Sequence, residues 1–232
     1  MTERESARTE VWEWIKSNRG AFGPNGFTSQ EIRGSEHPGI LDALWALVTA
    51  NILRPNAPSQ RQFELTAFGA EAFNDDSPYD QSEFLRQVRI DAPCLDSDAE
   101  GYLALALNII FTAPQAAVAL LRAGLELEIG SLIAVYIAAG HQSSGRLRGQ
   151  DLSGRISGIV SRLQSEMDSE DVSELNSCCT IVRLGGNRVL HPSGRMPGID
   201  RTEVTTVFHA FRRLSALSSR AMKNKNAPLE TY

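Results

Sequence analysis

The chain has 232 residues, of which 42% are hydrophobic and 22% charged, and carries a formal net charge of −5. That balance belongs to a folded soluble protein of one large or two modest domains, and not to a disordered chain. The start, MTERESARTE, is charged where a secretory signal needs an apolar run, and Arg122, Glu126 and Glu128 interrupt the most apolar stretch, so a buried helix there and a cytoplasmic protein are expected.

In chain order, residues 7–18 place Val11, Trp14 and Ile15 at helical spacing. A Gly/Pro/Asn loop follows, and Thr28 or Ser29 is a suitable N-cap for a short helix, SQEIRG. Pro38 opens a longer helix in which Leu41, Leu44, Leu47 and Val48 recur at three- and four-residue intervals. Next come ILRPN, a polar loop, a brief alternation at Phe63 and Leu65, and a helix capped by Thr66. Residues 77–98 are acidic and proline-containing, with one short amphipathic piece, SEFLRQVRI, and are expected to form a linker with a transitional helix or strand.

Asp96 or Ser97 caps a helix through EGYLALALNIIFTA, and Pro114 and Gly140 bracket a long one. After the loop HQSSGRLRGQ, apolar residues Leu152, Ile156, Ile159, Val160 and Leu163 mark a further helix. The next runs from a cap at Ser169 or Asp171 to a stop at Pro192, and the last carries Val204, Val207, Phe208, Phe211 and Leu214 on one stripe. Strand signals are absent beyond residue 98, which predicts an antiparallel helical bundle over residues 99–223 and a disordered tail over 224–232.

The order of elements over residues 5–74, with LWALVTANIL entering a wing and FELTAFGAEAF leaving it, resembles a winged helix-turn-helix domain. The fold expected for residues 1–76 is therefore three helices with a small β-wing. The resemblance implies DNA recognition by the third helix, with basic and amide side chains reaching the DNA. This chain departs from that pattern: from Glu36 to Leu53 there is no Lys or Arg. Trp45 and Thr49, with Arg54 and Arg61 flanking the wing, are candidates for docking a partner, protein or DNA.

AAVALLRAGLE and LGGNRVLH resemble a bacterial family of unknown function related to the HEPN superfamily. The resemblance implies a mostly helical bundle that often dimerises, and in many members a metal-independent ribonuclease. Its catalytic pattern separates an Arg from a His by four to six residues. Here seven lie between Arg183 and His191 and two between Arg188 and His191. Asn187 one turn before His191 does match, as does Arg122 with Glu126.

The stretch RLGGNRVLHP poses the central question, because two glycines sit inside a helical segment at a cost of roughly 1 kcal/mol each relative to alanine. Three readings stand open. In the first, Asn187 bonds Arg122 or Glu126 across the bundle, Gly185 and Gly186 let helices approach, and His191 caps its own helix. In the second, this edge binds a ligand or nucleic acid. In the third, His191 with Arg183 or Arg188 cleaves RNA while Asn187 orients a phosphate.

Residues 114–232 carry fourteen basic and eleven acidic side chains, a net +3, which leaves −8 on the preceding 113 residues. If nucleic acid is bound, this split directs it to the C-terminal domain, at Arg146, Arg148, Arg155, Arg195, Arg212 and Arg213. Cys94, Cys178 and Cys179 lack metal spacing, and there is no Gly-rich phosphate loop and no GxSxG elbow, so neither metal nor cofactor is expected. The expected function is a non-catalytic regulatory or binding protein of a nucleic-acid-related bacterial pathway, defence or transcription control, acting as a homodimer. Alternatives are a HEPN-type ribonuclease and a DNA-binding regulator with a sensing bundle.

Overall fold

A computed structural model describes residues 3–22, 26–33, 38–56, 62–74, 76–140, 151–190 and 199–226. The chain divides into two compact units, Met1–Asp80 and Gln81–Tyr232.

The first unit comprises α1 (Glu3–Asn18), β1 (Phe27–Thr28), α2 (Ser29–Arg33), α3 (Pro38–Thr49), β2 (Leu53–Pro55), β3 (Gln62–Leu65) and α4 (Ala67–Ala72). The strands form one antiparallel sheet in the order β1-β3-β2, with Phe27 opposite Phe63 and Leu53 opposite Leu65. At the start of α2, Glu31 reaches back and its carboxylate accepts both the backbone N–H and the hydroxyl of Thr28, the returning half of a capping box. Helix α3 ends where Asn51 takes a positive φ of 59°. The N–H of Asn51 bonds the Val48 carbonyl and that of Ile52 bonds the Leu47 carbonyl, a Schellman turn that delivers the chain directly into β2. Thr66 caps α4, its hydroxyl oxygen accepting the Gly69 N–H at 2.9 Å. Val11, Ile15, Phe27, Ile40, Leu44, Ile52, Leu53, Phe63 and Phe73 are buried and form the core.

The first unit extends past residue 76. Ser77, Tyr79 and Asp80 are buried, Tyr79 packs edge-on against Phe68, and Asp80 pairs with Lys16.

The second unit contains α5 (Gln81–Asp91), α6 (Ser97–Ile109), α7 (Pro114–Ala138), α8 (Leu152–Leu163), α9 (Ser169–Leu190) and α10 (Arg201–Asn226). Residues 77–98 are therefore not a linker. Their amphipathic piece is α5, which buries Phe84 and Val88 and sets the Phe84 ring edge-on to Phe208 at 6.0 Å. The last helix runs on to Asn226, so residues 224–226 are helical and not tail.

Asp96 caps α6 and Asp151 caps α8 through their carboxylates. Helix α9 is capped by Asp168, whose carboxylate accepts the Glu170 N–H at 2.8 Å, and not by Ser169 or Asp171. Asp200 and Glu203 form a reciprocal capping box at the start of α10. The stripe Val204, Val207, Phe208, Phe211 and Leu214 is buried, as its spacing predicts. Helices α9 and α10 run antiparallel: Glu174 pairs with Arg213 at one end and Arg188 with Glu203 at the other. No helix among the described residues is long and apolar enough to cross a membrane.

Gly69 tests the packing of the first unit. A Cβ there would overlap the backbone carbonyl oxygen of Ile52, which cannot yield without moving β2. Gly69→Ala is expected to lower the stability of this unit by about 3 kcal/mol, readable as a fall in its melting temperature.

Candidate functional site

The RLGGNRVLHP segment lies on α9 up to Leu190, and both glycines are buried inside the continuous helix. Gly186 is where α9 meets α7, since a Cβ there would overlap the Cβ, Cγ and Cδ of Arg122. Gly185 faces α10, and its missing Cβ would come within 3.0 Å of Val207 and 3.4 Å of Val118. The pair of glycines thus lets three helices converge at one level.

The arginine stem laid across Gly186 brings its head to two acceptors. Arg122 Nε donates to Asn187 Oδ1 at 2.8 Å, and its terminal nitrogen lies 2.8 Å from Glu126 Oε1 one turn along α7. Arg188 turns instead toward α10 and pairs with Glu203 at 2.6 Å. Asn187 and Arg188 are therefore directed to different helices. Arg183 is half-buried and makes no ion pair among the described residues, and His191 lies outside them. Of the residues expected to act together, the structure joins Arg122, Glu126 and Asn187 into one bridge.

Of the basic residues expected to meet nucleic acid, the described Arg212 and Arg213 are paired with carboxylates. Arg212 pairs with Asp91 at 2.8 Å, and Arg213 grips Glu174 with two nitrogens at 2.8 and 2.6 Å. Arg155 is half-buried on α8, while Arg146, Arg148 and Arg195 lie outside the described residues. The charge split also changes once the boundary falls after residue 80. The first unit holds seven basic and twelve acidic side chains, a net −5, and the second holds sixteen of each. The acidic stretch that made the first half look so negative belongs to the bundle.

On the first unit, Trp45 is 38% exposed and rests edge-on against Phe63 at 5.9 Å. Leu41, one turn earlier on the same helix, is 41% exposed; the sequence reading did not include it among the docking residues. Thr49 donates its hydroxyl to the Trp45 carbonyl, and Arg54 pairs across the sheet with Glu64 at 2.6 Å. Arg61 lies outside the described residues.

A buried carboxyl that the sequence reading missed sits in the second unit. Glu128 is fully buried on α7, and its Oε2 accepts the Asp96 N–H at 3.1 Å. Asp96 in turn caps α6 and accepts the Ser131 hydroxyl, so one acid anchors the start of α6 from below and the other from its cap. Glu128 Oε1 has no well-formed hydrogen bond, although Ser218 of α10 faces the carboxyl. Burial pushes the Glu128 carboxyl above the usual range, against smaller opposing contributions from Ser218 and the Asp96 N–H. The Ser131 hydroxyl holds Asp96 below its usual value, helped by the Ala99 and Asp98 N–H groups and opposed by burial. Burial pushes the neighbouring Cys179 thiol up to about 12, with Cys178 and Glu128 adding to the shift, so this cysteine is no nucleophile. No group of three metal-ligating side chains occurs among the described residues.

Two predictions follow from this geometry. Gly186→Ala must displace the Arg122 stem and is expected to cost about 3 kcal/mol, whereas Asn187→Ala, losing one charge-assisted bond, costs about 1–2 kcal/mol; chemical denaturation measures both. Because Glu128 binds its proton more tightly folded than unfolded, its contribution is complete below the ordinary glutamate pKa and is lost as pH rises through the folded value. From about pH 5 upward the wild type should lose stability that Glu128→Gln retains, seen as a flatter melting profile of the variant. No protein-family model, curated protein or solved structure matches this chain.

Proposed function

We propose that this chain is a non-catalytic binding protein of a nucleic-acid-related pathway, defence or transcription control, with a winged-helix first unit that docks a protein partner and a HEPN-like second unit. The order α1-β1-α2-α3-β2-β3 with its β1-β3-β2 sheet supports the winged-helix reading. The six helices of the second unit, with LGGNRVL ending α9, support the HEPN-like one. The homodimer expectation belongs to that same resemblance.

One observation carries the non-catalytic reading: of the polar groups expected to serve RNA cleavage, Asn187 and Arg188 are committed to holding helices together, while Arg183 makes no ion pair among the described residues. Metal-free cleavage needs a cation free to meet the developing charge on phosphate and a group free to accept the 2′-OH proton. Arg122 is held by Asn187 and Glu126, and Arg188 by Glu203, each within 2.8 Å. An arginine neutralised by a carboxylate is a poor phosphate ligand unless the pair first breaks. DNA reading by the first unit is disfavoured because α3 carries no cation and Arg54 is paired with Glu64.

The test is incubation of the full chain with single-stranded RNA in EDTA, beside Asn187→Ala and His191→Ala variants and thermal melts of all three. No cleavage by the wild type, with Asn187→Ala melting several degrees lower, is the expected result. Cleavage that disappears in either variant at an unchanged melting temperature would overturn the proposal in favour of a ribonuclease.

A further inference from the structure

We infer that the exposed face of α3 is a docking surface for a basic amphipathic segment of a partner protein. This deepens the proposed reading of the chain as a binding protein and rests on it. Single exposed apolar side chains need no explanation on a protein surface. Leu41, Trp45 and Val48, however, recur at i, i+4 and i+7, and form one row about 10 Å long on a helix rising 1.5 Å per residue. Leu41 and Trp45 are about two-fifths exposed and Val48 is half-buried. The Trp45 ring is already fixed by its edge contact with Phe63, so a partner meets an anchor whose side-chain freedom is spent before binding.

Charge selects the occupant. The described part of α3 has one charged side chain, the exposed Asp42 beside Leu41, and the unit around it carries a net −5. The described wing cation, Arg54, is neutralised by Glu64. A phosphate backbone would be repelled from this face. A second copy is also disfavoured, because two-fold packing of α3 on itself would set Asp42 near its own copy and bring together two units of the same net charge. A segment with two or three apolar anchors on one face and Lys or Arg on its flanks satisfies both the apolar row and the field.

The experiment uses the full chain and, as probe, a dye-labelled 14-residue Leu/Lys amphipathic peptide (roughly four helical turns), followed by fluorescence anisotropy. Its Leu/Glu counterpart and a DNA duplex serve as competing probes. The expected result is binding of the Leu/Lys peptide alone, weakened at least about tenfold by Leu41→Ser combined with Trp45→Ala. Asp42→Asn should weaken it a few-fold and reduce its salt dependence. Ile90→Ser, on the exposed side of α5 in the other unit, should leave it unchanged, and melting curves confirm that each variant is folded. Binding insensitive to Leu41 and Trp45, or as strong for the acidic peptide or the duplex, overturns the inference. So does a concentration-dependent dimer in sedimentation that the double variant abolishes, since the occupant would then be a second copy. The RNA incubation above is independent of this titration: a ribonuclease fails there, while a wrongly assigned docking face fails only here.

Discussion

The bundle depends on the absence of two Cβ atoms. At Gly186 the backbone of α9 lies against the aliphatic stem of Arg122, and at Gly185 it lies against Val207 and Val118, so α7, α9 and α10 approach one another at the same level. Glycine in a helix interior weakens the isolated helix, and close packing of neighbours offsets that loss only if the gap is filled. Here it is filled by an arginine stem, whose charged head must then find acceptors at the bundle edge. Asn187, one residue on, and Glu126, one turn along α7, supply them. The apolar and polar parts of the junction are consequences of one side chain's position.

This arrangement explains why residues of catalytic type need not be catalytic. Arginine, asparagine and a neighbouring second arginine at a helix end are the components from which a phosphate site is built. They are equally the components of an interhelical clamp, and the difference is whether the charges are spent. Other arginines of this bundle are spent in the same way: Arg212, Arg213 and Arg220 reach Asp91, Glu174 and Asp171, so α5 and α9 are tied to α10 by ion pairs. Exposed pairs of this kind contribute little stability individually, but they neutralise Arg212, Arg213 and Arg220 toward a phosphate backbone. A second unit with equal numbers of basic and acidic groups is the result.

Glu128 occupies the opposite situation. It is a carboxyl placed on the apolar stripe of α7, between Leu125 and Leu132, where burial opposes its ionisation. Its compensation comes from the first turn of α6, through the Asp96 N–H, and from Ser218 on α10. Two acids next to each other are tolerable because their environments differ: Asp96 is bound by three donors and stays charged, while Glu128 is desolvated and favours its proton. The cluster links α6, α7 and α10 at a level of the bundle distinct from the glycine junction.

Local signals in the sequence carried much of the architecture. Thr66 and Asp96 were legible as caps, the 204–214 stripe as a buried helix face, and the Phe63–Leu65 alternation as a strand, because capping and periodicity are decided within a few residues. Pairing across the fold was not legible. Asn187 stood as either a phosphate-orienting group or a bridge to Arg122 or Glu126, and which it became depended on a helix 65 residues away. Glu128 could have been noticed as the single acid on the row 118, 121, 125, 128, 132, yet its donor, the Asp96 backbone, has no sequence signature. The segment 81–91 read as a transitional helix or strand within a linker, and that it belongs to the bundle was decided by α10, where Phe208 and His209 pack on Phe84. What the chain's own order determined is the set of helices, strands and ends; what tertiary structure decided is which charges are neutralised, since that depends on partners that no local pattern encodes.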